Sequence, residues 1–187
     1  GDKVSFDVQL ASGDVTNCTT IATKFVNDDV SLIMANATPA VIAAKEATAT
    51  IPIIGTSVTD YVAAEAAIVA SNEAPGGNVT GYSDMSDIAA HVELTKKLCP
   101  EAKTVAIVYC AAEPNSVIQG NEAKKLYEEA GFTVVVKTAT DVASISTVVT
   151  SACSEADVLY IPTDNLFAEN MEAVKNIAQP AKVPVIC

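Results

Sequence analysis

The chain has 187 residues, is 50% hydrophobic and carries a net charge of −12, with no arginine among its eleven positive side chains. That is enough apolar material for one or two domains with a sizeable core. The basic footprint that nucleic-acid phosphates or anionic lipid demand is missing. No apolar run approaches the roughly 20 residues of a membrane helix, and the sequence as it stands opens without a signal-peptide pattern.

In chain order, Val4 to Ala11 reads as a strand. A helix follows from about Asp14 to Asp28, with Val15, Cys18, Ile21, Ala22 and Phe25 recurring at helical spacing as a buried stripe. Next come a strand from Ser31 to Ala35, a helix opened near Thr38-Pro39 and a strand from Ile51 to Thr56. A helix from about Asp60 to Ser71 leads into the Pro75-Gly76-Gly77-Asn78 turn and the strand Val79 to Tyr82. The plan then repeats. Helices are expected at Ser86 to Leu98, Ser116 to Ala130, Val142 to Ser154 and Asn165 to Ala178. Strands are expected at Thr104 to Cys110, Thr133 to Thr138, Val158 to Pro162 and Val183 to Cys187.

Strand and helix alternating in this way build parallel sheets flanked by helices, an α/β fold. The run from Ala74 to Asp84 divides two similar halves and reads as a hinge between two Rossmann-like lobes, residues 1–81 and 82–187. Thr80 and Gly81 are the hinge residues. Gly76 and Gly77 precede a strand, whereas a phosphate loop needs glycines between strand and helix. Both ends fall abruptly within strands, so the chain reads as an incomplete slice of a longer protein.

In open α/β sheets ligands bind beyond the carboxyl ends of the strands. In the first lobe that rule selects Ala37, Thr38, Ser57, Thr59, Asp60, Tyr61, Tyr82, Ser83 and Asp84 as ligand-binding candidates. In the second it selects Glu113, Asn115, Ser116, Thr163, Asp164 and Asn165. Hydroxyls and amides at helix starts, beside free backbone N–H groups, favour an anion such as a carboxylate. The same residue types are ordinary helix caps, and it is their recurrence at successive strand ends that carries the functional reading. An ammonium group would need Asp84, Glu113 or Asp164. Tyr61, Tyr82 and, less well placed, Phe167 offer stacking surfaces.

Five cysteines, at 18, 99, 110, 153 and 187, with His91 as the single histidine, suggest neither a metal site nor a disulfide framework. No cofactor is implied. His91, mid-helix among charged residues, reads as a surface side chain. There is no Gly-x-Ser-x-Gly elbow for serine hydrolysis. The sequons at Asn17, Asn36 and Asn78 read as chance occurrences in polar turns and caps.

Several motifs in order, Thr38-Pro39-Ala40, Val58-Thr59-Asp60, Pro75-Gly76-Gly77-Asn78-Val79-Thr80-Gly81 and Ile161-Pro162-Thr163-Asp164-Asn165, resemble the substrate-binding proteins of an ABC importer family. That resemblance spans essentially the whole chain. It implies the type I periplasmic-binding-protein fold, with two lobes closing on a small solute such as an amino acid, including aromatic ones. It also implies an extracytoplasmic location, periplasmic or lipid-anchored, and a membrane permease and ATPase as partners. Tyr61 departs from the family's usual proline, and the family's opening strand and helix, whose strand lies centrally in the first sheet, are not seen here.

Two other readings share this fold. A ligand-sensing domain of a receptor or regulator is one. The other is a cofactor-independent racemase with one cysteine per lobe, which Asn17-Cys18-Thr19-Thr20 and Cys110 superficially resemble, although Cys18 falls on the apolar face of its helix.

Overall fold

Short apolar strands and intervening helices fold, in a computed structural model describing residues 3–63 and 66–187, into two separate parallel sheets. The first sheet holds β1 (Ile33–Asn36), β2 (Ile53–Val58) and β3 (Val79–Ser83) in the order β1-β2-β3. The second holds β4 (Thr104–Cys110), β5 (Thr133–Ala139), β6 (Val158–Tyr160) and β7 (Val185–Ile186) in the order β5-β4-β6-β7. Every strand pair is parallel, so each connection within a sheet has to cross over from one end to the other.

Helices α1 (Val15–Asn27) and α2 (Thr38–Ala47) accompany the first sheet, and α1 packs on α2. The second is flanked by α3 (Ile88–Leu98), α4 (Pro114–Glu129), α5 (Val142–Glu155), α6 (Asn165–Glu169) and α7 (Met171–Ala181). Aspartates start several of them. Asp14 accepts from Thr16 N at 2.8 Å, Asp87 from Ala90 N at 3.0 Å, and Asp141 forms a reciprocal box with Ser144. Each satisfies an amide that the first turn leaves without a partner.

The central strand β4 is buried from Val105 to Cys110 because helices cover both of its faces. Ala106, Val108 and Cys110 meet Ile145, Val149 and Phe167 on one side. Val105, Ile107 and Tyr109 meet Ile88, Val92 and Tyr127 on the other. The first sheet is covered on one face, where Ile33, Ala35, Ile53 and Val79 pack with Val41, Ala44 and Tyr61. On its other face Met34 is 73% exposed and Ile54 40%.

Five sequence expectations are corrected. Val4 to Ala11 forms no strand: among the described residues nothing pairs with it, and Phe6 is 87% exposed. Among the described residues its backbone has no neighbouring strand to bond, and it is tied to α1 by an ion pair from Asp7 to Lys24 and by Asn17 Nδ2, which donates to Ala11 O at 3.2 Å.

The helix from Asp60 to Ser71 is also absent from the described residues; positions 64 and 65 of that range lie outside them. Asp60 Oδ1 accepts from Val62 N and Ala63 N, and the Tyr61 carbonyl accepts from Ile68 N and Val69 N at 3.0 Å. The segment closes as a loop that buries Tyr61, Ala66 and Ile68, so tertiary burial overrides the helix propensity of its alanines.

The single helix expected from Asn165 to Ala178 breaks into α6 and α7 at Asn170, whose side chain donates to Leu166 O at 2.8 Å. His91 is half-buried rather than superficial, with its Nδ1 3.2 Å from Tyr160 Oη. The stripe on α1 is shallower than expected as well. Ala22 is buried and Cys18 half-buried, while Val15 is exposed.

Candidate functional site

At the ends of the first sheet the backbone is strained. The chain leaves β1 through Ala37, whose N–H donates to Thr56 O at 2.9 Å and whose φ of 83° and ψ of 150° lie in a region that suits glycine. The helix α2 that follows has no side-chain cap, and Thr38 at its start is buried with an Oγ1 that has no partner. On β2 the register shifts between Gly55 and Val58, with Ser57 at φ 54°, as in a β-bulge.

Tyr61 fills the space beside that bulge. Its hydroxyl donates to Tyr82 O at 3.3 Å and receives Tyr82 N at 3.1 Å. A Cβ on Gly81 would lie 2.0 Å from that oxygen, and one on Gly55 2.5 Å from it. Tyr61 therefore ties β3 to the loop after β2, with its ring in the core. Tyr82 projects outward, 71% exposed, and Phe167 is fully buried.

In the second half Glu113 and Asp164 organise two helix starts. Glu113, 1% exposed, accepts from Asn165 N at 3.0 Å, Asn165 Nδ2 at 2.6 Å, Leu166 N at 2.9 Å and Asn115 Nδ2 at 3.3 Å. Asp164 accepts from Cys110 N at 2.6 Å and Phe167 N at 2.8 Å. Burial, and then the neighbouring Glu113, push the Asp164 carboxyl above its ordinary value. Asn115 Nδ2 also reaches Thr163 O at 3.0 Å and Ser116 Oγ at 3.2 Å.

One side chain that the sequence did not single out joins the two sheets. Gln119, fully buried on α4, donates from Nε2 to Thr59 Oγ1 at 2.8 Å and accepts from Thr163 N at 3.3 Å. Ser83 Oγ donates to Thr59 O at 2.7 Å, and Ser86 Oγ lies 3.2 Å from Thr163 Oγ1. Thr59, Ser83, Glu113, Asn115, Ser116, Thr163 and Asn165, seven of the expected residues, thus meet in one polar network. The available signal was helical spacing, since Ser116, Gln119, Gly120 and Ala123 share a face of α4 without a large apolar residue.

A cavity of about 120 Å³ is lined by Val15 and Thr19 of α1, Pro39 and Ile42 of α2, and Ala112 and Pro114 at the entry to α4. The starts of α2 and α4 therefore face each other. Gly13 also lies against α6, where a Cβ would be 3.5 Å from Asn165 O. No cluster able to hold a metal ion occurs among the described residues, and no helix there is long and apolar enough to cross a membrane.

The family model for ABC transporter substrate binding proteins matches residues 1–187, and the chain belongs to that family. It is 41% identical over 186 residues to a protein named tyrosine-binding protein from Clostridioides difficile (strain R20291), covering all of this chain and 53% of that one. A domain from Streptococcus pneumonia crystallised in complex with L-Trp is 34% identical, with a TM-score of 0.94 over 99% of this chain and 62% of its own. The ligand-free, open structure of a substrate binding protein with adhesive properties from Clostridium difficile is 40% identical but has a TM-score of 0.60, over 100% of this chain and 62% of its own. The chain thus spans between half and two thirds of the length of these relatives.

The fold is that of type I periplasmic binding proteins, and the family and its relatives bind solutes rather than catalyse reactions. That overturns the racemase reading, and the thiols agree with the correction. Burial pushes both Cys110 and Cys18 above the ordinary thiol value, away from reactive thiolate.

Proposed function

We propose that this chain forms the solute-capturing part of the extracytoplasmic substrate-binding component of an ABC importer, and that its ligand is an amino acid with an aromatic side chain. Two lobes, residues 1–81 and 82–187, close on the ligand, with Thr80 and Gly81 in the strand that leads from one to the other. The loaded protein then delivers to a membrane permease driven by an ATPase. A leader or lipid anchor outside the present chain would hold it at the outer face of the cell membrane.

The observation that carries this reading is the meeting of strand ends from both sheets at Thr59, Gln119 and Thr163. A polar network spanning two separate sheets is what a closing cleft requires. The superpositions support it. The more identical relative, open and ligand-free, fits far worse than the less identical one holding L-Trp, a contrast that a change in the angle between two rigid halves accounts for. L-Trp in one relative and the tyrosine named in another support an aromatic amino acid.

A thermal-shift screen against the twenty amino acids tests the proposal. Ligand at 100 times its Kd adds about 2.7 kcal/mol, or roughly 5–10 °C for a protein of this size. A shift confined to tryptophan, tyrosine and phenylalanine is expected. A flat response across the panel, with shifts for unrelated solutes, would overturn the amino-acid assignment.

A further inference from the structure

Among the described residues, three buried side-chain atoms have no hydrogen-bond partner: Thr38 Oγ1, Asp84 Oδ1 and Asn115 Oδ1. Buried polar atoms are almost always paired, and an unpaired one costs stability. All three lie just beyond strand ends: Thr38 follows β1, Asp84 follows β3, and Asn115 opens α4 after β4. Chance would scatter such atoms through the molecule.

Hydrogen bonds tie these positions together. Asn115 Nδ2 holds Thr163 O, the Thr163 hydroxyl meets Ser86 two residues beyond Asp84, and Ser83 beside Asp84 holds Thr59 O. Pro39 and Pro114, the neighbours of Thr38 and Asn115, line the same small cavity. The chemistry of the three is also complementary to one kind of ligand. Asn115 spends its amide N–H groups on Glu113, Ser116 and Thr163, so its free atom is an acceptor. Asp84 Oδ1 is a second acceptor. Thr38 contributes a hydroxyl at the uncapped start of α2, where the helix dipole favours negative charge.

We infer that the α-ammonium of a bound amino acid sits on Asp84 Oδ1 and Asn115 Oδ1, and that its α-carboxylate takes the Thr38 hydroxyl and the open start of α2. This assignment rests on the amino-acid reading above. It also selects among the three acidic candidates for the ammonium. Glu113 already accepts four hydrogen bonds and Asp164 two backbone N–H groups, so both are committed to holding helix starts. Asp84 has an oxygen to spare.

Calorimetric titration of the full chain with L-tryptophan, with 3-(indol-3-yl)propionate, which lacks the ammonium, and with tryptamine, which lacks the carboxylate, tests the assignment. Asp84→Asn should weaken L-tryptophan binding about tenfold to hundredfold and leave the propionate within about twofold. Thr38→Val should weaken L-tryptophan at least about tenfold and leave tryptamine within about twofold. A second readout needs no ligand: Thr38→Val removes an unpaired buried hydroxyl without changing shape, so the melting temperature of the free chain should rise. A hydroxyl serving structure alone would give a fall.

Equal losses for amino acid and analogue, or unchanged L-tryptophan affinity in Asp84→Asn, would overturn the assignment while leaving amino-acid binding intact. If the parent chain takes up neither L-tryptophan nor L-tyrosine, the amino-acid reading fails and the assignment falls with it.

Discussion

The two sheets of this molecule are built from similar alternations of strand and helix, yet they reach different degrees of closure. Strand β4 is buried along nearly its whole length, with a hydrophobic cluster on each face. Strand β1 alternates buried and exposed, and its outward Met34 is 73% exposed. Strained backbone follows the same division: Ala37 and Ser57, two non-glycine residues with positive φ at strand ends, both belong to the first sheet. The second sheet is a finished core that anchors helix starts through Glu113 and Asp164. The first holds its strand ends in place with a tyrosine plug and a bulge.

The sharpest way to break this comparison is to remove bulk from each sheet in turn. Phe167→Ala, in the fully buried cluster of the second sheet, should cost about 3–5 kcal/mol in urea unfolding. Met34→Ser, on the bare face of the first, should stay within about 0.5 kcal/mol. Comparable losses at the two positions would mean that the face bearing Met34 is covered in solution and that the contrast is mistaken.

Next in size is Gly81→Ala. Its Cβ would meet the Tyr61 hydroxyl at 2.0 Å and Gly55 O at 2.3 Å, and the backbone oxygen cannot swing aside. A loss of about 3 kcal/mol is expected, at the upper end of overpacking costs, with faster amide exchange on β2 and β3 and little change on β4. If exchange quickened equally in both sheets, the tyrosine plug would not be local to the first.

How much of this was legible in the sequence follows from the same contrast. The second half reads well because Thr104–Cys110 and Thr133–Ala139 are apolar or β-branched runs, with Asp87 and Asp141 capping the helices that precede the first and follow the second, and those signals are local. The first half misled at two places. Val4, Phe6, Val8 and Leu10 alternate as a strand should, but pairing requires a neighbour and none is present among the described residues. The alanines after Tyr61 favour a helix, yet burying that ring and bonding its hydroxyl to Tyr82 pull the chain into a loop. Strand-end logic singled out Thr38, Thr59, Asp84, Asn115 and Thr163 as candidates, and the structure places Thr59, Asn115 and Thr163 in one hydrogen-bonded network. It gave Glu113 the same standing, because a carboxylate that caps a distant helix looks in sequence like one that meets a ligand. Gln119 had no local signal beyond a polar helix face, since its partners lie 60 and 44 residues away.

A smaller effect, of opposite sign, is expected at Ala37. Its φ of 83° and ψ of 150° fall in a region that costs a residue with a Cβ about 1–3 kcal/mol, while glycine brings an entropic penalty of about 0.5–1 kcal/mol. Ala37→Gly should therefore stabilise the free chain by about 1 kcal/mol in urea titration. Destabilisation would show that the strained turn before Thr38 is not part of what keeps the first sheet weaker than the second.

The smallest expected effects are pH slopes, and they separate two aspartates of the second half by sign. Burial raises the Asp164 carboxyl in the folded chain above its ordinary value of 3.8. Folded protein then binds the proton more tightly than unfolded chain. Its contribution is fully present below 3.8 and is lost as pH rises through the raised value. The stability advantage of the parent over Asp164→Asn should therefore grow as pH falls from neutral towards 4. Asp157 accepts from Lys103 N and Thr104 N, at 2.8 and 2.9 Å, and those bonds lower its carboxyl. Its contribution is present above 3.8 and disappears as pH falls through the lowered value, so the advantage over Asp157→Asn should shrink below about 4. Urea midpoints measured from pH 2 to pH 7 on the three proteins resolve both slopes. Parallel slopes would mean that Asp164 is solvated in the folded chain, and that the buried anchor distinguishing the second half is less complete than its hydrogen bonds indicate.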